Sequence, residues 1–415
     1  MNEKYAEKLV DELFYGKLPF YKVESRTGGD SNEAAEIRRR VLERMINQKL
    51  TAIAHHTIDF NQLVGKNIET PIGVAQVPMG IAGPLKVKGD YADRDYFIPL
   101  CTSEGALVAS INRGCSAVNR SGGARSKVLK DGMVRAPLFR TPSIEYAYKL
   151  VEWVNNNFKK VAEAAQRTTM HGRLEKIDPY VVGNNVFFRF TFTTGDAMGM
   201  NIATIACDEI RKLIEEACPY ADCIALSGNL CVDKKPSAMN LMQGRGKTVV
   251  SEAIIKREIV DEVLKTTPKD IVEVNWRKNY IGSALAGSLG FNAHFANIIA
   301  AMFIATGQDV AQTVESSMGM TTVELLENGD LYISVTLPSL EVGTVGGGTS
   351  LPTQGEVLKI LDCYGAGSTP GENAKKLAEI MAAAVLAGEL SLLSALAAQH
   401  LAKTHLKLGR GVKSE

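Results

Sequence analysis

The chain has 415 residues, 45% of them apolar and 22% charged, with a formal net charge of +1. That length calls for more than one hydrophobic core. The near-zero charge excludes a global field for nucleic acid or an anionic membrane, so an anionic ligand must meet a local basic cluster. Seven cysteines (Cys101, Cys115, Cys207, Cys218, Cys223, Cys231 and Cys363) include no C-x-x-C pair. They signal neither a disulfide framework nor a zinc site, and a reducing compartment fits them better.

The N-terminus, MNEKYAEKLVDEL, is charged and lacks the apolar run of a signal peptide. Residues up to about Asn61 favour helix. SRTGGDSNE reads as a loop, and Ala34–Gln48 as an amphipathic helix with Ile37, Val41 and Ile46 on its apolar side. From Asn67 onward Gly73, Pro78, Gly80, Gly83 and Pro84 punctuate short β-like runs. TSEGALVASINRG then sets Glu104 beside Gly105, ahead of an apolar stretch; taken alone, a solvated carboxylate is the favoured reading. Val186, Phe188, Phe190 and Phe192 alternate through Val186–Thr193, which predicts a strand. Gly195 and Asp196 turn the chain into a helix over Asn201–Ala217, and CIALSG follows as a second strand. Strand, helix and strand predict a compact α+β unit. The glycine-led helix start in GDAMGMN suits an anion, although Asp196 by itself reads as that helix's N-cap.

LSGNLCVDKKP, Leu226 to Pro236, ends a strand, turns at glycine and asparagine, and presents Asp233, Lys234 and Lys235 before a proline. By itself it is a surface turn. GRGKT lacks the earlier glycine of a phosphate loop, since Leu241 stands there. It reads as a turn near a helix start. Ala296–Ala305 is apolar all round and predicts a buried helix. Asp309 in the GQD that follows should be partly buried, which would raise its pKa. His294 fits a satisfied core histidine. GTVGGGT, Gly343 to Thr349, suits a close backbone approach to a ligand and a flexible loop equally well. No G-x-G-x-x-G follows a strand, so an ordinary dinucleotide fingerprint is absent. Thr369-Pro370-Gly371-Glu372 is a capping box opening the last long helix, which should end near Gly409. His405, near its end, reads as a favourable C-terminal charge. The longest apolar stretches, Ala296–Gly307 and Ile380–Gly388, are too short to span a bilayer. A cytoplasmic protein is expected.

Taken together, NIETPIGVAQVPMGIAGPL, TSEGALVASINRGCSA, DGMVRAP, GDAMGMN, LSGNLCVDKKPSAMNLMQGRGKTVV, GSLGFNAHFANI, TGQDVAQ, GTVGGGTSLPTQ, PGENAKKLAEI and AGELSLLSALAAQHLAKTH occur in one order between Val64 and Gly409. In that order they resemble the hydroxymethylglutaryl-CoA reductase family. YKVE and EIRRRVL extend the likeness loosely into the first sixty residues. The resemblance implies an α+β fold with a helical N-terminal piece (1–65) and a large domain (66–136 and 237–415) around a long central helix. A small ferredoxin-like insert (137–226) would bind the nicotinamide cofactor without a Rossmann motif, with 227–236 as the connecting catalytic loop. Members are homodimers or dimers of dimers with interfacial active sites.

The implied reaction is the four-electron reduction of (S)-3-hydroxy-3-methylglutaryl-CoA to mevalonate and CoA with two NADPH and no metal, the committed step of isoprenoid synthesis. Lys234 matches the cation that meets the thioester oxygen, where a preorganised partner contributes about 3 kcal/mol or more. Glu104 matches the acid of the second reduction, and Asp309 the carboxylate joined to both. Two carboxylates so placed should titrate as a coupled pair. His405 matches the donor to the departing thiolate, whose conjugate thiol has a pKa of roughly 8.5. Arg135, Ser227, Asp233, Lys235 and Lys278 match contacts to the substrate carboxylate and its neighbours. Ser110, Asn112, Arg113, His294 and Asn297 match further substrate-side positions. The cofactor should lie along Asp196, Met198, Gly199, Met200, Asn201, Gly307, Gln308, Val345, Gly346, Gly347, Gly348 and Thr349.

Several features depart from parts of the family. No N-terminal membrane region of the animal and plant kind is present. Arg410 is followed by Gly411 where eukaryotic members carry a regulatory serine. GDAMGMN is the wording of the biosynthetic, NADPH-using class, but the region expected to hold the 2′-phosphate, around Arg167–Arg173, aligns poorly. An NAD-dependent degradative enzyme on the same fold is the second reading. A CoA- or nucleotide-binding protein without redox activity is the third, and it requires that Lys234, Glu104 and Asp309 do not converge.

Overall fold

The computed structural model describes residues 2–398. It divides into two compact units, one of Met1–Pro78 with Ser350–Gln354 and one of Met79–Thr349 with Gly355–Glu415. In the first, helices Glu3–Phe14 and Ser31–Ile46 bury Leu9, Val10 and Leu13 with Ala34, Ile37 and Val41. The second helix begins before the predicted Ala34 because Asp30 caps it, accepting from the N–H groups of Asn32 and Glu33. It stops at Ile46 because Asn47 turns left-handed at φ 50°.

The second unit carries ten strands: β1 (Met79–Lys88), β2 (Asp93–Cys101), β3 (Ala124–Arg135), β4 (Leu138–Arg140), β5 (Arg173–Val182), β6 (Asn185–Thr193), β7 (Asp222–Ala225), β8 (Gly246–Ile255), β9 (Met320–Leu325) and β10 (Leu331–Leu340). They run in the order β7-β4-β6-β3-β8-β10-β9, with β5 beside β6 and β1 linking β2 to β3. β3 is the strand that joins the two halves of this order. Arg125–Gly132 pairs antiparallel with β8, and Met133–Arg135 pairs with β6. The predicted alternation of β6 is present: Val186, Phe188, Phe190 and Phe192 are buried.

Two apolar clusters fill this unit. One surrounds helix Glu372–Ala397 and takes side chains from β1, β2, β8, β10 and helices Leu107–Arg120 and Phe295–Thr306. The other gathers Phe139, Leu150, Val154, the β6 phenylalanines, Cys207 and Ile210. Glu372–Ala397 has 26 residues and is the one described helix long and apolar enough to cross a membrane, but 83% of its apolar window is buried inside the protein. The sequence reading of Ile380–Gly388 as a short run understated it, because alanine, leucine and serine extend the buried face beyond it. Gly114 lets helix Leu107–Arg120 cross it, since a Cβ there would stand 1.9 Å from the carbonyl oxygen of Ala387.

The start of that helix differs from the capping-box expectation. Glu372 does accept from the N–H of Thr369 at 2.9 Å, but the helix begins at Glu372, after Gly371 at φ 83°. The N–H of Ala374 is taken by a residue far away in sequence, Asp196.

Candidate active site

Lys234 stands on a strained loop. After β7 the chain passes through Asn229 at φ 63°, Val232 at φ 50° and Lys234 at φ 58°. A β-branched residue at positive φ is a costly backbone state, and it persists only where the surroundings over-determine it. The surroundings here are ionic. Arg245, fully buried, donates from Nη2 to Asp233 Oδ1 at 2.9 Å and from Nη1 to Glu315 Oε1 at 2.8 Å. It also donates to Glu341 and to Gln312 Oε1. Glu315 Oε1 accepts the backbone N–H of Lys234 at 2.7 Å. Gln312 donates to Asp233 Oδ1 at 3.1 Å, and Arg135 Nη1 lies 3.6 Å from Asp233 Oδ2.

GRGKT therefore does not stand near a helix start. Gly244 ends helix Ala238–Gln243, and Gly246 opens β8. Its Arg245 and Lys247 are both buried, with Lys247 Nζ 3.2 Å from Asp131.

With its main chain held from below, Lys234 points its ammonium at Asp309, Nζ to Oδ2 2.8 Å. Hydrogen bonding to Asp309 holds the Lys234 pKa above its ordinary value, against a smaller effect of burial. Asp309 is partly buried, as expected, with a side chain 34% exposed. It sits where the apolar helix Phe295–Thr306 has ended at Gly307, and it caps the short turn after it through the N–H of Ala311. Glu104 follows β2 on an exposed turn and accepts from Asn297 Nδ2 at 3.4 Å. Among the described residues no hydrogen bond joins Glu104 to Asp309, so the direct carboxylate pair is not formed within this chain. His405 lies outside the described residues.

The substrate-side matches separate into groups. Arg135 and Asp233 join the Arg245 network. Ser227 Oγ is 3.5 Å from Cys231 Sγ, and Lys235 donates to the carbonyl of Asp233. Ser110 and Arg113 both engage Ser391 of the central helix, the latter through Nε at 3.0 Å and through Nη2 to its carbonyl at 2.6 Å. Burial lowers the Arg113 pKa. Asn112 accepts from the N–H of Gly83. His294 precedes helix Phe295–Thr306; its ring contacts the carbonyl of Gly388, and its N–H goes to Glu389, a buried carboxylate that also accepts from Thr321. Lys278 is exposed on the π-helix Asn275–Gly282, and among the described residues no contact ties it to these groups.

The segments matched to the cofactor come together. Ala197 bridges to Val345, and the carbonyl of Asp196 accepts from the N–H of Thr344. A Cβ on Gly343 would stand 2.4 Å from Met198 N, and one on Gly307 would stand 2.3 Å from the carbonyl oxygen of Gly348. The buried amide of Gln308 exchanges two hydrogen bonds with the main chain of Gly343. Gly199 at φ 100° starts helix Met200–Ala217, Met200 Sδ lies against Arg245, and Asn201 is exposed. On the other face of the turn, Gly346 and Gly347 have positive φ and open space where a Cβ would be. These contacts make GTVGGGT a braced turn that leaves, among the described residues, open space beside Gly346, room for a ligand to approach the backbone closely. Asp196, read as the N-cap of its own helix, instead gives its carboxylate to the N–H groups of Gly367, Gly371 and Ala374.

Sequence reasoning missed Arg245, Glu315, Glu341 and Glu389. The arginine had a local signal, charge between two glycines in GRGKT, and Glu389 stood inside the matched stretch AGELSLLSALAAQHLAKTH without being singled out; Glu315 and Glu341 lie outside every motif.

Comparison with known proteins gives consistent neighbours. The family model described as hydroxymethylglutaryl-coenzyme A reductase matches residues 34–410. The chain is 56% identical over 406 residues to the 3-hydroxy-3-methylglutaryl-coenzyme A reductase of Pyrococcus abyssi, covering 98% of this chain and 100% of that one. It is 59% identical over 406 residues to the reductase of the same name from Aeropyrum pernix, covering 98% and 96%. In fold it resembles the class II enzyme of Streptococcus pneumoniae bound to NADPH in open conformations, with a TM-score of 0.65 at 18% identity over 92% of this chain and 98% of that one.

Proposed function

Since the chain belongs to the hydroxymethylglutaryl-coenzyme A reductase family, we propose that it reduces (S)-3-hydroxy-3-methylglutaryl-CoA to mevalonate and CoA, consuming two NADPH and no metal. The observation that carries the reading is the 2.8 Å pair of Lys234 with Asp309, two groups from distant segments brought together on a braced loop.

The nicotinamide supplies hydride, and the protein does the rest. Lys234 meets the oxygen on which charge grows, and Asp309 keeps its ammonium protonated. A donor fixed at that oxygen contributes about 3 kcal/mol to lowering the barrier. Glu104, steadied by Asn297, hands a proton to the aldehyde-level oxygen in the second reduction. His405 protonates the departing thiolate, on the strength of the family match. Arg135 forms a forked bond to the substrate carboxylate, and Asp233, Lys235, Ser227, Lys278, Ser110, Asn112, Arg113, His294 and Asn297 complete the substrate side. Met198 to Asn201, Gly307, Gln308 and the turn Val345–Thr349 hold the cofactor. Asp196 belongs to that site as the residue that fixes its main chain.

The proposed organisation is a helical N-terminal region (1–65), a large domain (66–136 and 237–415) around the central helix, and a ferredoxin-like insert (137–226), with 227–236 connecting them. The separate apolar cluster of Phe139, Leu150 and the β6 phenylalanines supports the insert. The enzyme is proposed to act in the cytoplasm as a homodimer or dimer of dimers, which sedimentation velocity tests.

The decisive assay follows NADPH oxidation with hydroxymethylglutaryl-CoA and counts cofactor consumed per CoA released. Two per CoA is expected, and one per CoA would overturn the four-electron reading. A strong preference for NADH would favour the degradative alternative.

A further inference from the structure

The Lys234 loop combines two observations that the reaction alone does not require. Three of its residues, Asn229, Val232 and Lys234, hold positive φ without being glycine. Left-handed backbone costs an ordinary residue about 1–2 kcal/mol, so an unrestrained loop would relax and move the ammonium. Directly beneath it lies a fully buried set of Arg245, Glu315 and Glu341. Asp233, Glu315 and Glu341 are near enough together to suit a metal ion, but the Arg245 guanidinium already stands among them, within bonding distance of all three.

We propose that Glu315, held by Arg245, is a positioning residue for the reduction, fixing the height of the Lys234 ammonium by gripping its main chain. This rests on the reading of Lys234 as the oxyanion cation. Glu315 Oε1 is shared between the Arg245 Nη1 and the Lys234 backbone N–H, at 2.8 and 2.7 Å. One atom thus ties the buried guanidinium to the reactive residue itself. The neighbouring residue is fixed from the same source, because Asp233 Oδ1 takes the other arm of Arg245 at 2.9 Å. Positions 233 and 234 are therefore anchored by the two nitrogens of one rigid planar group. A lysine in place of Arg245 could not span both, since an ammonium lacks the fork. The carboxylates outnumber the guanidinium, and burial pushes the carboxyl of Glu341 well up. Burial raises the carboxyl of Glu315 as well.

Glu315→Ala removes the acceptor; Glu315→Gln keeps a carbonyl oxygen where Oε1 was, without burying an unpaired charge. A displacement of about 1 Å in a reacting group costs about 100-fold. Glu315→Ala should therefore lower kcat by about 100-fold while the KM for the thioester stays within about threefold. Glu315→Gln should recover about tenfold of the loss, because the carbonyl still takes the Lys234 N–H. Native-state hydrogen exchange at the Lys234 amide should quicken by about tenfold or more in the alanine variant and by less in the glutamine variant. A kcat within about threefold of the parent in Glu315→Ala, or equal losses in both variants, would overturn the proposal. So would unchanged exchange at the Lys234 amide. Lys234→Ala in the same assay separates the two readings. If it turns over near normally, the role of the lysine itself fails. If it is inactive while Glu315→Ala is unimpaired, only the positioning role fails.

Discussion

The carboxylate of Asp196 caps a helix 178 residues further along the chain: Oδ1 accepts the N–H of Ala374 at 2.9 Å. Its other oxygen accepts from Gly367 and Gly371 at 3.1 and 3.2 Å. The second residue of the GDAMGMN turn is thus bonded to the start of the buried central helix, and its own carbonyl holds Thr344 at the head of the glycine turn. The proposed cofactor segments and the central helix share this one anchor.

Replacing Asp196 by alanine should consequently destabilise the whole second unit and not just a surface turn. Loss of a cap costs about 1 kcal/mol, and leaving buried N–H groups unpaired adds about 1–3 kcal/mol. A loss of about 2 kcal/mol or more in urea unfolding is expected. Asp196→Asn, which keeps one acceptor oxygen, should lose less. A change below about 0.5 kcal/mol in the alanine variant would show that water replaces the carboxylate.

The pH dependence of turnover should respond to Asp309. Lys234 titrates above its ordinary value chiefly because Asp309 accepts from it. A lysine raised in this way contributes stability that is complete below the unfolded value of about 10.4 and fades as pH rises through the folded value. The catalytic ammonium follows the same sign, present on the acid side and lost on the alkaline side. In Asp309→Asn the neutral amide no longer favours the charge and burial continues to oppose it. The alkaline limb of kcat should move to lower pH, measured as kcat from about pH 7 to about pH 11. A limb that stays in place would mean that another group sets it.

The site was legible where chemistry is written locally and obscure where it depends on tertiary partners. LSGNLCVDKKP placed Lys234 correctly on a turn after a strand, and period-two alternation located β6 within a residue. The sequence could not show that Arg245 is buried. Glycine on both sides reads as a turn, and the carboxylates that neutralise it, Glu315 and Glu341, lie about seventy and a hundred residues on. Asp196 was read as a local cap because caps usually are local; its acceptor geometry favours a different helix. The glycine turn stayed ambiguous until Gly343 met Met198 and Gly307 met Gly348. Among the described residues no hydrogen bond joins Glu104 to Asp309, and Asn297 donates to Glu104.

Glu341 offers a stability test with a definite sign. Burial raises its pKa well above the ordinary carboxyl value. The stability linked to its neutral form is complete below the unfolded value of about 4.3 and is lost as pH rises through the folded value. Glu341→Gln is neutral at every pH. The variant should gain on the parent as pH rises above the unfolded value of about 4.3, by at most about 1.4 kcal/mol per unit. Parallel unfolding curves across that range would place the charge on Glu341 and the proton elsewhere in the cluster.

Gly346 tests the cofactor turn without disturbing the protein around it. Among the described residues a Cβ there meets no atom within 4 Å, although φ is +76°. Gly183, between β5 and β6, has the same character, open space among the described residues at φ +61°, and lies outside the turn. Both alanine variants carry the same left-handed penalty of about 1–2 kcal/mol, so their unfolding midpoints should fall alike. Only Gly346→Ala places a methyl group in the open space proposed to carry the dinucleotide. Overpacking a close contact costs about 1–3 kcal/mol, and 1.4 kcal/mol is about tenfold in affinity. The dissociation constant for NADPH, measured by nicotinamide fluorescence, should rise about tenfold in Gly346→Ala and stay within about twofold in Gly183→Ala. Equal effects in the two variants would mean that backbone strain, and not contact with the cofactor, accounts for the loss.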